Sequence, residues 1–224
     1  MRFGVVRFPG SCDEQDALLA CQRFADADIL WHKRRDLAGV DAVVLPGGFS
    51  YGDYLRPGAI ARFSPIMSAI ARFAAEGGPV LGICNGFQVL CEAALLPGAL
   101  LVNESLRFVC RQAEVTVENT DTPFTRSCSS GERLSMPVKH TGGRYYAPQR
   151  ELDRMRDMGQ ILFRYVADNP SGSSQAVAGV ANEAKNVCGL MPHPEHAVDA
   201  LAGSVDGAKL FASLVGEVEG VAAA

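Results

Sequence analysis

Short runs of apolar and β-branched residues alternate, in the first half of the chain, with stretches whose apolar positions recur at helical spacing. That rhythm predicts βαβ units. Residues 3–8 read as a first strand, and residues 13–26 as a helix carrying Leu18, Leu19, Cys21 and Phe24 near the helical repeat. Asp13 and Glu14 suit the positive N-terminal end of that helix. Strands return at 29–32 and 40–45. A helix over 65–75 stops at Gly77-Gly78, and the apolar run 79–84 then reads as a buried central strand feeding directly into a helix that begins near Asn85.

From about residue 106 to 181 the pattern changes to shorter strands at 111–118, 133–139, 160–166 and 175–181, separated by Pro and Gly turns. These suggest antiparallel additions to one edge of a sheet. A strand at 187–191 and a helix at about 204–218 close the pattern, and the Gly-Val-Ala-Ala-Ala tail at 220–224 is expected to fray. The reading is α/β: a central, mostly parallel sheet with helices on both faces and an antiparallel edge extension, in one domain spanning 1–224 without repeat or linker.

Composition narrows the function classes. A chain that is 48% hydrophobic and 21% charged has material for a large core, which excludes a disordered segment. A net charge of −4, with Lys and Arg scattered, leaves no basic stripe for nucleic acid. The apolar start MRFGVVRF gives way to Pro-Gly well short of the about 20 residues a membrane span needs, so a cytoplasmic protein is expected. Seven cysteines, an odd number without a C-x-x-C pair, suggest neither a disulfide framework nor a zinc site.

One cysteine stands apart. Gly82, Cys84 and Gly86 form a G-x-C-x-G pattern at the end of the apolar strand, the spacing of a nucleophile elbow. A sharp strand-to-helix reversal presents the middle residue, and flanking glycines remove side chains that would obstruct it. At a helix start, unpaired N–H groups and the macrodipole favour an anion and so a thiolate. By itself the pattern also fits a tight turn after a core strand. His193 and Glu195, in MPHPEH after the strand 187–191, supply the partners: bracketed by Pro192 and Pro194, an extended segment projects the two to the same side, so the carboxylate can orient the imidazole. The rival reading of H-x-x-H as a metal site meets a proline inside it and no third ligand. Acyl transfer also needs oxyanion donors, and the backbone N–H groups of Gly48, in the Pro-Gly-Gly turn after strand 40–45, and of Asn85 are the candidate pair.

Together, PGG at 46–48, GICNGFQ at 82–88 and HPE at 193–195 resemble the class I glutamine amidotransferases, in that order along nearly the whole chain. The resemblance implies a flavodoxin-like sandwich in which Cys84, His193 and Glu195 form a triad that cuts the side-chain amide of glutamine. Within that class, GGFSYGDYLRPGAIA at 47–61, CNGFQ at 84–88 and NESLRF at 103–108 look like the glutaminase subunits serving phosphoribosylformylglycinamidine synthase in purine biosynthesis. This implies Gln88, Asn103, Ser105, Arg107 and His140 as substrate-pocket residues. It also implies a large synthetase subunit that receives the ammonia and itself uses ATP and Mg, a small third subunit, and no cofactor or metal in this chain. Thr141-Gly142-Gly143 departs from the family's His-Gly-Glu-Gly-Arg, although His140 and Arg144 match. The chain has no G-x-x-x-x-G-K-S/T loop of its own. Two alternatives stay open: a class I glutaminase for another synthetase, and an inactive binding scaffold.

Overall fold

The computed structural model describes residues 1–216, so the expected end of the last helix at 217–218 and the 220–224 tail lie outside the described residues. The apolar runs form strands buried on both faces: β3 (Ala42–Leu45), β4 (Val80–Ile83) and β11 (Val187–Leu190) throughout, and β1 (Arg2–Arg7) over residues 3–6. Parallel strands covered on both faces read as continuous apolar runs for this reason.

Helix α1 (Glu14–Gln22) is shorter than the periodicity suggests, because β2 (Asp26–Trp31) begins at Asp26, in register with Arg2 of β1. Pairing along the strand edge thus takes Asp26 from the end of the expected helix, and residues 23–25 form the turn that leads into it. Helix α2 (Pro65–Ala75) matches its expected bounds, and α3 (Asn85–Glu92) starts at Asn85. Next come β5 (Ala99–Leu101), β6 (Val109–Val117), β7 (Arg133–His140), β8 (Arg144–Tyr146), α4 (Gln149–Asp157), β9 (Ile161–Tyr165), β10 (Val177–Ala181) and, after β11, α5 (Ala208–Val215).

Strands β5 and β8 and helix α4 leave no clear trace in the hydrophobic pattern. Strands β5 and β8 are three residues each and pair only with one another. Helix α4 buries only Leu152 and Met155, and the rest of its surface is laced by Arg154–Glu151 and Arg156–Asp153 pairs. Two apolar positions are too few to show a period. Helix α5 starts later than residue 204 because Ser204 pairs with Asp199 in an isolated antiparallel bridge.

Among the described residues nine strands form one sheet in the order β2-β1-β3-β4-β11-β10-β9-β6-β7. The first five run parallel, and β10, β9, β6 and β7 extend one edge with antiparallel pairing. From β1 the chain moves outward to β2, but from β3 it moves the other way to β4. Right-handed crossovers therefore place α1 on one face and α2 on the other. The order reverses between β1 and β3, and ligands of open α/β sheets bind at the carboxyl ends of strands flanking such a switch point. Among the described residues no helix is long and apolar enough to cross a membrane.

Candidate functional site

Cys84 follows β4 and caps α3 with φ +49° and ψ −102°, a conformation costly for a residue with a side chain. The glycines on either side explain how the turn closes. A Cβ on Gly82 would stand 2.5 Å from Leu90 Cδ1, and one on Gly86 only 2.0 Å from the Leu45 carbonyl oxygen. Helix α3 therefore folds straight back over β3 and β4. The Cys84 N–H donates to the Leu190 carbonyl (2.8 Å), and Sγ lies 3.9 Å from the Lys139 carbonyl oxygen. Gly86→Ala forces a methyl group into main chain that cannot withdraw, an overpacking cost of about 1–3 kcal/mol. Thermal unfolding should show a midpoint lower by several degrees, and an unchanged midpoint would mean that α3 lifts off β3 freely.

His193 leaves the end of β11 fully buried, its N–H donating to the Pro137 carbonyl at 2.8 Å. Its Nδ1 is 2.6 Å from Glu195 Oε1, also buried. The expected extended segment is instead a 3-10 turn, Pro194–His196, whose first position is the proline. Proline at the start of a helical turn loses no hydrogen bond, so the turn swings Glu195 back toward the ring. Burial opposes a charged imidazole most strongly, yet the negative charges of Glu195 and Cys84 and their hydrogen bonds outweigh it and raise the His193 pKa to about 10. With Nδ1 committed to Glu195, the nitrogen left to face Cys84 is Nε2, which is buried.

The Pro46-Gly47-Gly48 turn after β3 is laced to the segment after β1. Cys12 N–H donates to Gly47 O (3.2 Å), Phe49 N–H donates to Gly10 O (2.8 Å), and Ser11 and Gly48 form an isolated bridge. Gly48 sits at φ +136°, with a would-be Cβ 2.5 Å from Cys12 N, so only glycine fits. Among the described residues no hydrogen bond engages the N–H of Gly48 or of Asn85. Both remain available as donors. The Asn85 side chain accepts from Ser50 N–H (3.0 Å) and donates to Gln88 Oε1 (2.9 Å).

The other expected pocket residues divide in two. Gln88, buried, donates through Nε2 to the Gly142 carbonyl (2.7 Å), tying α3 to the Thr141-Gly142-Gly143 loop. Asn103, fully buried, donates to His140 O (2.9 Å) and Arg107 O (3.0 Å), while its Oδ1 accepts from Gly143 N–H (2.9 Å) and faces His140 Nδ1 (3.1 Å). That network makes Nδ1 the protonated nitrogen of His140. Burial, helped by the His193 charge, lowers the His140 pKa to about 4, so its ring is neutral near pH 7. The ring lies on Gly143, where a Cβ would meet it at 2.2 Å, which accounts for glycine at that point of the departing loop. Ser105 and Arg107 stand exposed on the loop beyond Asn103, and among the described residues no hydrogen bond joins either to the triad.

The sequence pattern does not mark Asp13, Lys139 and His196 as neighbours of the triad residues. Asp13, expected only as a favourable charge at a helix start, is buried with its carboxylate 2.5 Å from Lys139 Nζ, 3.3 Å from His196 Nε2 and 3.8 Å from His193 Nδ1. Lys139 Nζ is also 3.0 Å from His196 Nε2. Nothing local could reveal this, since the partners lie 126 and more residues away. Asp13, His193, Glu195 and His196 have the donor atoms of a metal site. The ammonium of Lys139 already supplies the cation there.

Residues 1–212 match the family model described as the CobB/CobQ-like glutamine amidotransferase domain. Phosphoribosylformylglycinamidine synthase subunit PurQ of Rubrobacter xylanophilus is 56% identical over 216 residues, covering 96% of this chain and 98% of that protein. The Salinibacter ruber protein of the same name is 54% identical over 232 residues, covering 99% of each. A chain of the PurLQS structure from Thermotoga maritima superposes with a TM-score of 0.89 at 43% identity, over 97% of this chain and 99% of that one.

Proposed function

We propose a mechanism and a partner set for this chain, which belongs to the CobB/CobQ-like glutamine amidotransferase family and, within it, to the PurQ subunits of phosphoribosylformylglycinamidine synthase. It is the glutaminase of that synthase, acting in purine biosynthesis. The observation that carries the mechanism is the convergence of a strained Cys84 on a buried imidazole that Glu195 holds at 2.6 Å.

In the first half-reaction the Cys84 thiolate attacks the side-chain amide carbon of glutamine. The carbonyl electrons move onto oxygen, where the Gly48 and Asn85 N–H groups stabilise them. Collapse breaks the C–N bond, and the His193 imidazolium gives its proton to the leaving nitrogen, releasing ammonia and a thioester. In the second half a water attacks the thioester carbon and yields its proton to His193. Collapse returns the thiolate and releases glutamate. Glu195 fixes the tautomer and stabilises the imidazolium through both halves. Gln88, Asn103 and His140 frame the glutamine pocket, with Ser105 and Arg107 on its outer loop.

The ammonia goes to a large PurL-type synthetase subunit, which with ATP and Mg converts formylglycinamide ribonucleotide to formylglycinamidine ribonucleotide, and a small PurS-type subunit completes the assembly. The chain works as one domain, 1–224, in the cytoplasm, with no cofactor or metal of its own. Incubation of the complex with a diazo analogue of glutamine should leave one covalent adduct on Cys84, mapped by mass spectrometry. A label on another cysteine, or none, would reject the nucleophile.

Cys84 is only 5% exposed, which points to a pocket that opens for substrate on assembly. Glutamine turnover by the chain alone should accordingly be low and rise when the synthetase subunit is added. Equal rates with and without it would remove the gating.

A further inference from the structure

Asp13 stands at the cap position of α1, where an aspartate ordinarily accepts a hydrogen bond from the first turn, yet its side chain makes no cap bond. It is directed inward instead. Its main chain and its side chain engage two different parts of the catalytic apparatus. The Asp13 N–H donates to the Gly47 carbonyl (3.3 Å), beside the Cys12 N–H bond to the same oxygen, and so holds the turn that carries Gly48. Its carboxylate approaches His193 Nδ1 to 3.8 Å, on the side of the ring bound by Glu195. Gly47 lies between them. A Cβ there would be 2.4 Å from Asp13 Oδ2 and 2.7 Å from His193 Cε1, so carboxylate, turn and imidazole are in close contact.

The carboxylate is itself fixed. Lys139 Nζ and His196 Nε2 both contact Oδ1, at 2.5 and 3.3 Å. Lys139 lies on β7, the strand whose Pro137 carbonyl accepts from His193 N–H and whose Lys139 carbonyl lies on Cys84 Sγ. The Asp13–Lys139 pair therefore ties the segment after β1 to β7 across the triad. Burying the Asp13 carboxylate is costly unless it is paired, and the half-buried Lys139 and His196 both meet it.

We propose that Asp13 is a positioning residue of the glutaminase reaction, its main chain holding the oxyanion turn and its Lys139-clamped carboxylate holding His193, so that one residue sets the distance between base and oxyanion donor. The inference rests on the triad reading above. The charged and titratable groups facing His193 are Cys84 after β4, Lys139 and His140 on β7, Glu195 and His196 on its own turn, and Asp13 after β1. Removing one negative charge from this set disfavours the imidazolium, whereas removing the Lys139 cation leaves Asp13 uncompensated and favours it.

The test uses the chain assembled with its synthetase subunit and compares glutamine-fed with ammonia-fed synthesis. Asp13→Asn keeps the shape but not the charge. It should lower the glutamine-fed kcat by roughly 10- to 100-fold, the scale of a small misplacement of reacting groups. The KM for glutamine and the ammonia-fed rate should hold, and the alkaline limb of the glutamine-fed pH profile should move to lower pH. Lys139→Met should also lower kcat but move that limb the other way. A merely structural role would lower rates without moving the limb in opposite directions. A wild-type kcat and limb in Asp13→Asn overturns the proposal, and if that variant fails to assemble, an unmoved limb in Lys139→Met overturns it equally. Cys84→Ala is measured alongside: if it keeps glutamine-fed synthesis, the triad reading itself has failed, whereas wild-type behaviour confined to the Asp13 and Lys139 variants removes only the positioning role.

Discussion

Cys84→Ala abolishes glutamine-fed synthesis by the assembled complex, by a factor of at least about 10⁴, while synthesis from added ammonia continues at the wild-type rate. The size follows from what the thiol does. Without it no thioester forms, and residual turnover depends on the oxyanion donors and binding alone, which in hydrolytic triads leaves only a small remnant of the rate. The sparing of the ammonia-fed reaction follows from where the residue sits: Cys84 is buried at the β4–α3 turn, and its loss removes one sulfur without disturbing Gly82, Gly86 or the packing of α3. Steady-state assays with the two nitrogen sources check both halves. Parallel loss of both activities would mean that the substitution acts through assembly.

Glu195→Gln should lower glutamine-fed kcat by about 10³- to 10⁴-fold, because an amide in place of the carboxylate can donate to Nδ1 and so impose the tautomer that cannot accept a proton at Nε2. Its second signature is in pH. Burial disfavours a charged His193 while Glu195 and Cys84 hold it protonated to about pH 10, so removing the Glu195 charge moves the alkaline limb to lower pH. The same shift has a stability consequence with a definite sign. Because the folded pKa is raised above the ordinary value of 6.5, the interaction stabilises the fold fully below about that pH and is lost as pH rises through 10. The thermal midpoint of the wild type should fall across that window more than that of Glu195→Gln. Equal slopes would show that His193 is not charged in the folded protein.

Much of this site was legible in the chain because its signals are short-range. The G-x-C-x-G spacing answers a local steric problem, the return of α3 over β4, and Gly82 and Gly86 meet main-chain or side-chain atoms at 2.8 Å or less wherever a Cβ is added. The Pro-Gly-Gly turn is equally local, although what holds it, the segment 10–13, is not. His193 and Glu195 were paired for a partly mistaken reason: two positions apart they meet through a 3-10 turn begun by Pro194, not by sharing one side of an extended strand. Gln88, Asn103 and His140 came from family likeness, and the contacts they make in the structure tie α3, the 103–107 loop and the end of β7 together.

By itself the sequence determined the α/β alternation, the central strands, the tight turn at Cys84 and the nearness of His193 to Glu195. Each depends on periodicity or on steric and hydrogen-bonding demands within a few residues, which composition and spacing record directly. Only the tertiary structure decided the order of strands, the switch point between β1 and β3, and the cluster of Asp13, Lys139 and His196 around His193. Those contacts join residues 57 to 183 positions apart. A carboxylate at the start of a helix has the same local pattern whether it faces water or a buried imidazole, so its environment is set by the sheet that brings the distant segments together.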